Sequence, residues 1–250
     1  MSKNQQWLPE KYQHNANFVS KLGVPLIELL NPQQEERILD LGCGDGLLMV
    51  KLQQLGCDVV GVDSSPEMIL AAQKLGLSAQ VMDGENLNFV NEFDAIFSNA
   101  ALHWMVNADA VIKGVYKALK SQGRFVAEMG GVGNVNTVVK AIDACLQKRG
   151  IDYGALNPWY FPSVEDYQER LEKAGFVVDN IILFERPTPL PQGIKGWLEV
   201  FAQKFTNHLP QDNRGLFIQE VTDICHPRLC DRDGNWQADY VRLRFSAHKK

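Results

Sequence analysis

Short apolar runs alternate with longer amphipathic segments between residues 37 and 129. The longer segments follow a helical period, and the short runs predict strands that are buried on both faces. This alternation is typical of a parallel, doubly wound α/β sheet. The predicted strands are 37–41, 58–63, 78–82, 93–98 and 123–129, and the predicted helices are 46–55, 66–75 and 108–119.

The two ends of the chain continue the pattern. Residues 7–30 predict helices that precede the sheet, and residues 176–184 and 240–247 predict two further strands. The segments between these late strands are rich in aromatic residues. Because insertions at strand ends of α/β folds lie close to the ligand, they predict a helical lid, with ordinary core packing as the alternative. These aromatic residues are Trp159, Tyr160, Phe161, Trp197, Phe201 and Phe205.

Three glycines at alternate positions, Gly42, Gly44 and Gly46, follow the first strand and lead into a helix. Glycine permits a sharp turn with positive φ and leaves room for a ligand beside the N–H groups of the next helix. A dinucleotide site would need the wider GxGxxG spacing, and a Walker loop would need Gly-Lys-Ser/Thr. The turn therefore predicts a nucleotide-like ligand of another kind, with a plain strand–helix turn as the alternative.

With its leading acid, the run Asp40-Leu41-Gly42-Cys43-Gly44-Asp45-Gly46 resembles motif I of the class I S-adenosylmethionine (SAM)-dependent methyltransferases. The resemblance implies a Rossmann-like fold whose sheet ends in an antiparallel pair, and hence seven strands, mainly parallel, with helical lid insertions. It also implies SAM as the cofactor, S-adenosylhomocysteine as its product, and a glycine turn that holds the methionine end of SAM.

The resemblance extends to the ends of the following strands. Asp63 ends the second strand about 20 residues after the glycine turn, where a carboxylate can take both ribose hydroxyls. Asp83 and Met82 match the positions that take the adenine amino group and pack on its ring, although Asp-Gly at a strand end is also an ordinary turn. The predicted cofactor-binding residues are Asp40, Gly42, Cys43, Gly44, Gly46, Asp63, Ser64, Met82, Asp83, Gly84, Asn99 and Ala100.

The segment Asn99-Ala100-Ala101-Leu102-His103-Trp104 narrows the resemblance to a small-molecule group that includes trans-aconitate and malonyl-carrier-protein methyltransferases. The start of the chain, Trp7-Leu8-Pro9-Glu10-Lys11-Tyr12, is similar to the segment that folds over the cofactor in trans-aconitate methyltransferases. Two segments, 121–123 and 130–134, depart from the group. The second departure leaves the substrate open.

Methyl transfer from a sulfonium depends on alignment in a dry pocket. A carboxylate acceptor needs no base, whereas a hydroxyl or amine could need one, and His103 is the candidate. A packed ring at the pocket wall is the alternative interpretation for His103. The same two interpretations, a general base or a packed ring, apply to His14. The predicted substrate-binding residues are Tyr12, His14, Trp104, Gly131 and Trp159.

Gly131 enters that set because the glycine-rich loop 130–134 precedes an apolar, helix-periodic segment. N–H groups at a helix start favour an anion, so the loop predicts a carboxylate site. A flexible hinge for the aromatic lid is the alternative.

The 250 residues, 45% of them hydrophobic, predict one domain over 1–250, with a helical lid at about 1–30 and helical cap insertions at about 130–165 and 190–235. A net charge of -5 without a long like-charged run disfavours nucleic acid and membrane partners. We expect a small-molecule substrate, a monomer or homodimer, and, since no apolar leader or span is evident, a cytoplasmic location.

Five scattered cysteines predict reduced thiols rather than a disulfide framework. Cys225, His226 and Cys230 lack the second pair that a zinc site needs, and 231–235 lacks the later glutamate of a calcium loop. No metal is expected. The prediction is a SAM-dependent O-methyltransferase that acts on a carboxylate or hydroxyl oxygen. A non-catalytic SAM-binding protein and a dinucleotide-dependent oxidoreductase are the alternatives.

Overall fold

The computed structural model of the protein describes residues 7, 9, 19 and 22–250. Tyr12 and His14 lie outside the described residues, as does most of the predicted N-terminal lid. Within the part that is described, no helix combines the length and apolarity needed to cross a bilayer.

Seven strands form one sheet in the order β3-β2-β1-β4-β5-β9-β6, and two short strands pair separately. The first five strands in this order run parallel, whereas β9 is antiparallel to both of its neighbours. The predicted seven-stranded, mainly parallel sheet is confirmed. The strands are β1 Arg37–Leu41, β2 Asp58–Asp63, β3 Ser78–Val81, β4 Phe93–Asn99, β5 Leu119–Gly130, β6 Phe176–Glu185, β7 Thr188–Pro189, β8 Gln237–Ala238 and β9 Val241–Lys249.

Helices cover both faces of this sheet. One hydrophobic core packs α1, α2 and α3 against the strands, and the core on the other face contains residues of α4 and α7. The centre of β4 is completely buried because both faces are covered, which explains its uninterrupted apolar sequence. The helices are α1 Val24–Leu30, α2 Leu47–Gln54, α3 Pro66–Lys74, α4 Ala108–Ala118, α5 Asn136–Gln147, α6 Tyr153–Leu156, α7 Val164–Lys173, α8 Gly193–Phe201, α9 Gln203–His208 and α10 Gln211–Leu229.

A third core lies among α5, α8, α9 and α10 and includes Trp104, which follows β4. Helix α5 begins just after β5, so this core adjoins the carboxyl ends of the two central strands. Ligands of open α/β sheets bind at that edge. The division of the chain into one domain with two cap insertions stays a prediction.

Candidate active site

The turn between β1 and α2 adopts a backbone that suits glycine. Gly42, Gly44 and Gly46 have φ values of +78°, +55° and +82°. A Cβ atom on Gly42 would lie 2.2 Å from the Cβ of Ala101, whereas a Cβ on Gly44 would meet nothing within 4 Å. Gly42 therefore permits close packing, and Gly44 leaves open space beside the turn where a ligand can approach the backbone.

Asp63, at the end of β2, ties this turn to the next loop. One carboxylate oxygen accepts the N–H of Gly44 at 3.1 Å, and the other accepts the N–H of Ser65 at 2.8 Å. Burial raises the pKa of Asp63, and the backbone N–H donors oppose that rise. Because each carboxylate oxygen has two lone pairs, Asp63 can still accept hydrogen bonds from a pair of ligand hydroxyls.

Asp40, near the end of β1, is only 2% exposed, and its Oδ2 atom has no hydrogen-bond partner among the residues that the structure describes. Burial, followed by the charge of Asp63, raises the pKa of Asp40 to about 8. Asp40 lines a small cavity together with Gly42, Gly44 and Asn99. A buried carboxyl oxygen of this kind suits a ligand that brings a donor or a positive charge.

His103 lies in a short 3₁₀ turn after β4 and is 7% exposed. Its Nδ1 atom accepts the backbone N–H of Gly130 at 3.2 Å. Burial, followed by the charge of Arg242, lowers the pKa of His103 well below the ordinary histidine value. The ring is therefore neutral, and since Nδ1 is the acceptor, the ring hydrogen is on Nε2.

The main cavity of the site has about 740 Å³ of empty space, its opening to solvent included. Residues of the glycine turn and Asp63 line it together with residues from the third core. We use the term acceptor chamber for the part of its wall that is formed by Trp104, Trp159, Phe161, Trp197, Phe201, His103, Asn134, Tyr240 and Arg242.

Three polar residues of the acceptor chamber were not predicted as site residues. Asn134 uses its Oδ1 atom to accept the N–H of Val241 at 3.0 Å. The hydroxyl of Tyr240 accepts the indole N–H of Trp197 at 2.6 Å. Arg242 is 6% exposed, and its guanidinium carbon lies 4.2 Å from the centre of the Tyr240 ring.

The structure brings many of the predicted site residues together. Asp40 and Cys43 line the small cavity, which shares Gly42, Gly44 and Asn99 with the main one. The predicted residues that line the main cavity are Gly42, Gly44, Asp63, Asn99, Ala100, His103, Trp104 and Trp159. Among the predicted residues that the structure describes, those that line neither of these two cavities are Gly46, Ser64, Met82, Asp83, Gly84 and Gly131. The roles of all these residues stay predictions.

Backbone N–H groups of the loop 130–134 donate hydrogen bonds to other parts of the protein. Gly131 donates to the carbonyl of Val241 at 3.1 Å, and Val132 donates to the carbonyl of Pro162 at 2.8 Å. The N–H of Thr137, at the start of α5, donates to the Asp239 carboxylate at 2.9 Å. The geometry therefore gives no support to these N–H groups as a carboxylate site. The loop contributes the Asn134 side chain instead.

Known proteins that are similar to this chain in sequence and in fold are methyltransferases. Residues 39–127 match the family described as a methyltransferase domain. Uncharacterized methyltransferase C70.08c of Schizosaccharomyces pombe is 43% identical over 98% of this chain and 98% of that protein. The chain belongs to the class I SAM-dependent methyltransferases.

A further sequence relative of this methyltransferase and a solved structure of similar fold are also methyltransferases. Trans-aconitate 2-methyltransferase from Escherichia coli is 31% identical and covers 85% of this chain and 86% of that protein. Phosphoethanolamine N-methyltransferase 2 from Haemonchus contortus, solved with S-adenosyl-L-methionine, has a TM-score of 0.60 at 21% identity. That match covers 92% of this chain and 52% of that chain and supports the fold. The predicted family, methyltransferase activity and SAM cofactor are confirmed.

Cys225 and Cys230 belong to the segment that was considered for a metal site. Cys225 is buried in the third core, and Cys230 is half-buried. Within residues 22–250 and the three described positions before them, no group of three or more His, Cys, Asp or Glu side chains could hold a metal ion.

Proposed function

We propose that this methyltransferase transfers the methyl group of SAM to a carboxylate oxygen of a small molecule. The observation that carries the proposal is the state of the polar groups in the acceptor chamber. The acceptor atoms of His103 and Asn134 already receive protein N–H groups, so the imidazole Nε2–H and the amide NH₂ of these two side chains can serve as donors. Arg242 is a donor by its chemistry, and donors on several sides favour an anion.

The same hydrogen bonds argue against a proton-removing mechanism. A hydroxyl acceptor would have to give its proton to a base as it reacts. His103 Nδ1 is occupied by the Gly130 N–H, and Nε2 carries the hydrogen, so the imidazole acts as a donor. A carboxylate is ionised at neutral pH and needs no base.

The cofactor end of the cavity fits SAM. The open side of Gly44 would hold the part of SAM that lies against the backbone of the turn. The Asp63 carboxylate would accept the ribose hydroxyls. The buried oxygen of Asp40 would face a cationic part of the molecule. Bound SAM supplies a methyl group on a sulfonium, whose positive charge disappears in the transfer. The residues of the acceptor chamber orient the acceptor and exclude water, which is the main contribution a protein makes to such a displacement.

The relatives support an acid as the acceptor. The E. coli relative is named for trans-aconitate, which is a carboxylic acid. We infer the chemical class of the methyl acceptor from that name together with the hydrogen-bond donors of the chamber.

Replacement of Arg242 tests the proposal. Arg242→Met removes a charged donor worth about 1.5–3 kcal/mol, so kcat/KM for carboxylic acids, trans-aconitate among them, should fall about tenfold or more. Affinity for S-adenosylhomocysteine should stay unchanged in calorimetry, which also shows that the variant is folded. Arg232→Met is the matched control, because Arg232 is exposed and lies outside the cavity. Equal turnover of carboxylic acids by Arg242→Met and the parent would overturn the proposed role of Arg242.

A further inference from the structure

The Asp40 carboxyl group is buried at the cofactor end of the site. It is 2% exposed, and within the part of the chain that the structure describes its Oδ2 atom receives no hydrogen bond. A buried carboxylate that lacks such a partner is costly when it is charged, so this environment favours the neutral acid. Burial, followed by the charge of Asp63, raises the pKa of Asp40 to about 8. Before the cofactor binds, Asp40 is therefore mostly protonated at neutral pH.

The ionisable groups around Asp40 are acidic. The glycine turn places Cys43 and Asp45 beside Asp40 in the small cavity, and the wall residues from α2 and β4 carry no charge. Asp63 faces the same group from the end of β2. Burial, followed by the charges of Asp40, Asp63 and Asp45, raises the pKa of the Cys43 thiol, which is therefore neutral. A positive charge that enters this cavity is favoured by the carboxyl groups that surround it.

SAM carries two positively charged groups, the ammonium of its amino-acid part and the sulfonium. An ammonium has N–H groups that can satisfy the Oδ2 atom of Asp40, whereas a sulfonium has no hydrogen to donate. The sulfonium bears the transferred methyl group and must face the acceptor chamber, which belongs to the main cavity, while Asp40 lines the small cavity. The two cavities share Gly42, Gly44 and Asn99, so one ligand can extend through both. The ammonium is therefore the group that suits Asp40.

We propose that Asp40 exchanges its proton for the ammonium group of the cofactor, so that binding of SAM or S-adenosylhomocysteine releases one proton. The carboxyl O–H bond breaks, the proton passes to the solvent, and the ionised oxygen accepts an ammonium N–H. Affinity for the cofactor then depends on pH through a single buried residue. The proposal concerns the cofactor, so it holds whichever atom of the acceptor is methylated.

Calorimetry on the unmodified protein counts the released protons. S-adenosylhomocysteine, which keeps the ammonium, is titrated in buffers that differ in ionisation enthalpy, and we expect about one proton to be released at neutral pH. Because a lower pH keeps Asp40 protonated, affinity should rise about tenfold between about pH 6 and pH 7 and level off above about pH 8. Binding without proton release at neutral pH would overturn the proposal, since Asp40 would then keep its proton in the complex.

A ligand analogue and two variants identify the source of the proton. The analogue of S-adenosylhomocysteine in which a hydrogen replaces the amino group should bind the parent about tenfold or more weaklier than S-adenosylhomocysteine and release no proton.

Asp40→Asn keeps the size of the side chain and removes the titrating proton. It should release no proton with S-adenosylhomocysteine, bind it equally well at about pH 6 and pH 8, and lose most of the preference over the analogue. Asp58→Asn, which changes an exposed carboxylate that pairs with Arg37, is the control and should release the proton as the parent does. Equal proton release by Asp40→Asn and the parent, or by the analogue and S-adenosylhomocysteine, contradicts the assignment.

Discussion

Asp63 is the residue on which two loops of the cofactor end depend. Its carboxylate accepts the N–H of Gly44 in one loop and of Ser65 in the other, so one side chain links the loops that follow β1 and β2, in addition to the backbone pairing of the two strands. The proposed contact with the ribose hydroxyls of SAM would add to these bonds. Loss of the negative charge would then weaken ligand binding more than it weakens the fold.

We expect Asp63→Asn to lower affinity for S-adenosylhomocysteine by about tenfold or more, because a hydrogen bond to a charged group contributes about 1.5–3 kcal/mol. Calorimetry measures the affinity, and circular dichroism checks the fold. Asp58→Asn is the control on the same strand, where an exposed carboxylate pairs with Arg37. If Asp63→Asn binds like the parent, the ribose is held elsewhere.

Site residues that depend on local spacing could be predicted from the sequence, whereas those that depend on strand pairing could not. Asp63 was predictable because its place after a strand and its spacing from the glycine turn are local properties of the chain. Arg242 was not predictable as a cavity residue, because an arginine near the start of a strand is ordinarily exposed. Its position in the chamber depends on β9 pairing between β5 and β6, which sequence spacing does not encode.

At the scale of elements, the turn between β1 and α2 combines two separate demands. Gly42 must approach Ala101, while Gly44 must leave space for a ligand. Both residues have positive φ, so an alanine at either position is strained. The structure thus predicts different consequences for the same substitution two residues apart.

Gly42→Ala should lower the free energy of unfolding by about 1–3 kcal/mol from overpacking, in addition to the strain of its positive φ. Gly44→Ala should cost about 1–2 kcal/mol from strain alone, yet it should reduce affinity for S-adenosylhomocysteine strongly because its methyl group enters the ligand space. Denaturant unfolding and calorimetry measure the two effects. Gly44→Ala with parental affinity would place the cofactor away from this turn.

The elements themselves were largely predictable. The apolar runs and the helical periods between residues 37 and 129 gave the alternation of strands and helices, and the boundaries differ by a few residues at most. The exception is β5, which begins at Leu119 because a register shift lets Phe93 pair with Leu119 before the regular pairing at Arg124. A bulge of this kind depends on the partner strand and leaves no periodic signal.

At the scale of the whole molecule, the acceptor chamber gathers residues from distant parts of the chain. Trp104 follows β4, Asn134 precedes α5, Trp197 lies in α8 and Arg242 lies in β9. Sequence could place aromatic residues in insertions near the site. It could not show that three side chains would have their acceptor atoms engaged by protein N–H groups, since those partners are set by the packed fold.

The identity of the methylated atom distinguishes a carboxylate acceptor from a hydroxyl or amine acceptor. The protein is incubated with SAM carrying a labelled methyl group and with the acid, the alcohol and the amine of several polar and hydrophobic carbon skeletons, between about pH 6 and 9. With SAM at saturation at every pH, so that the titration of Asp40 does not limit cofactor binding, we expect a base-labile methyl ester from acids alone. Its rate of formation should be flat over this range, because the carboxylate is already ionised and His103 stays neutral. A labelled ether or methylamine as the sole product, or a rate that rises with pH, would contradict it.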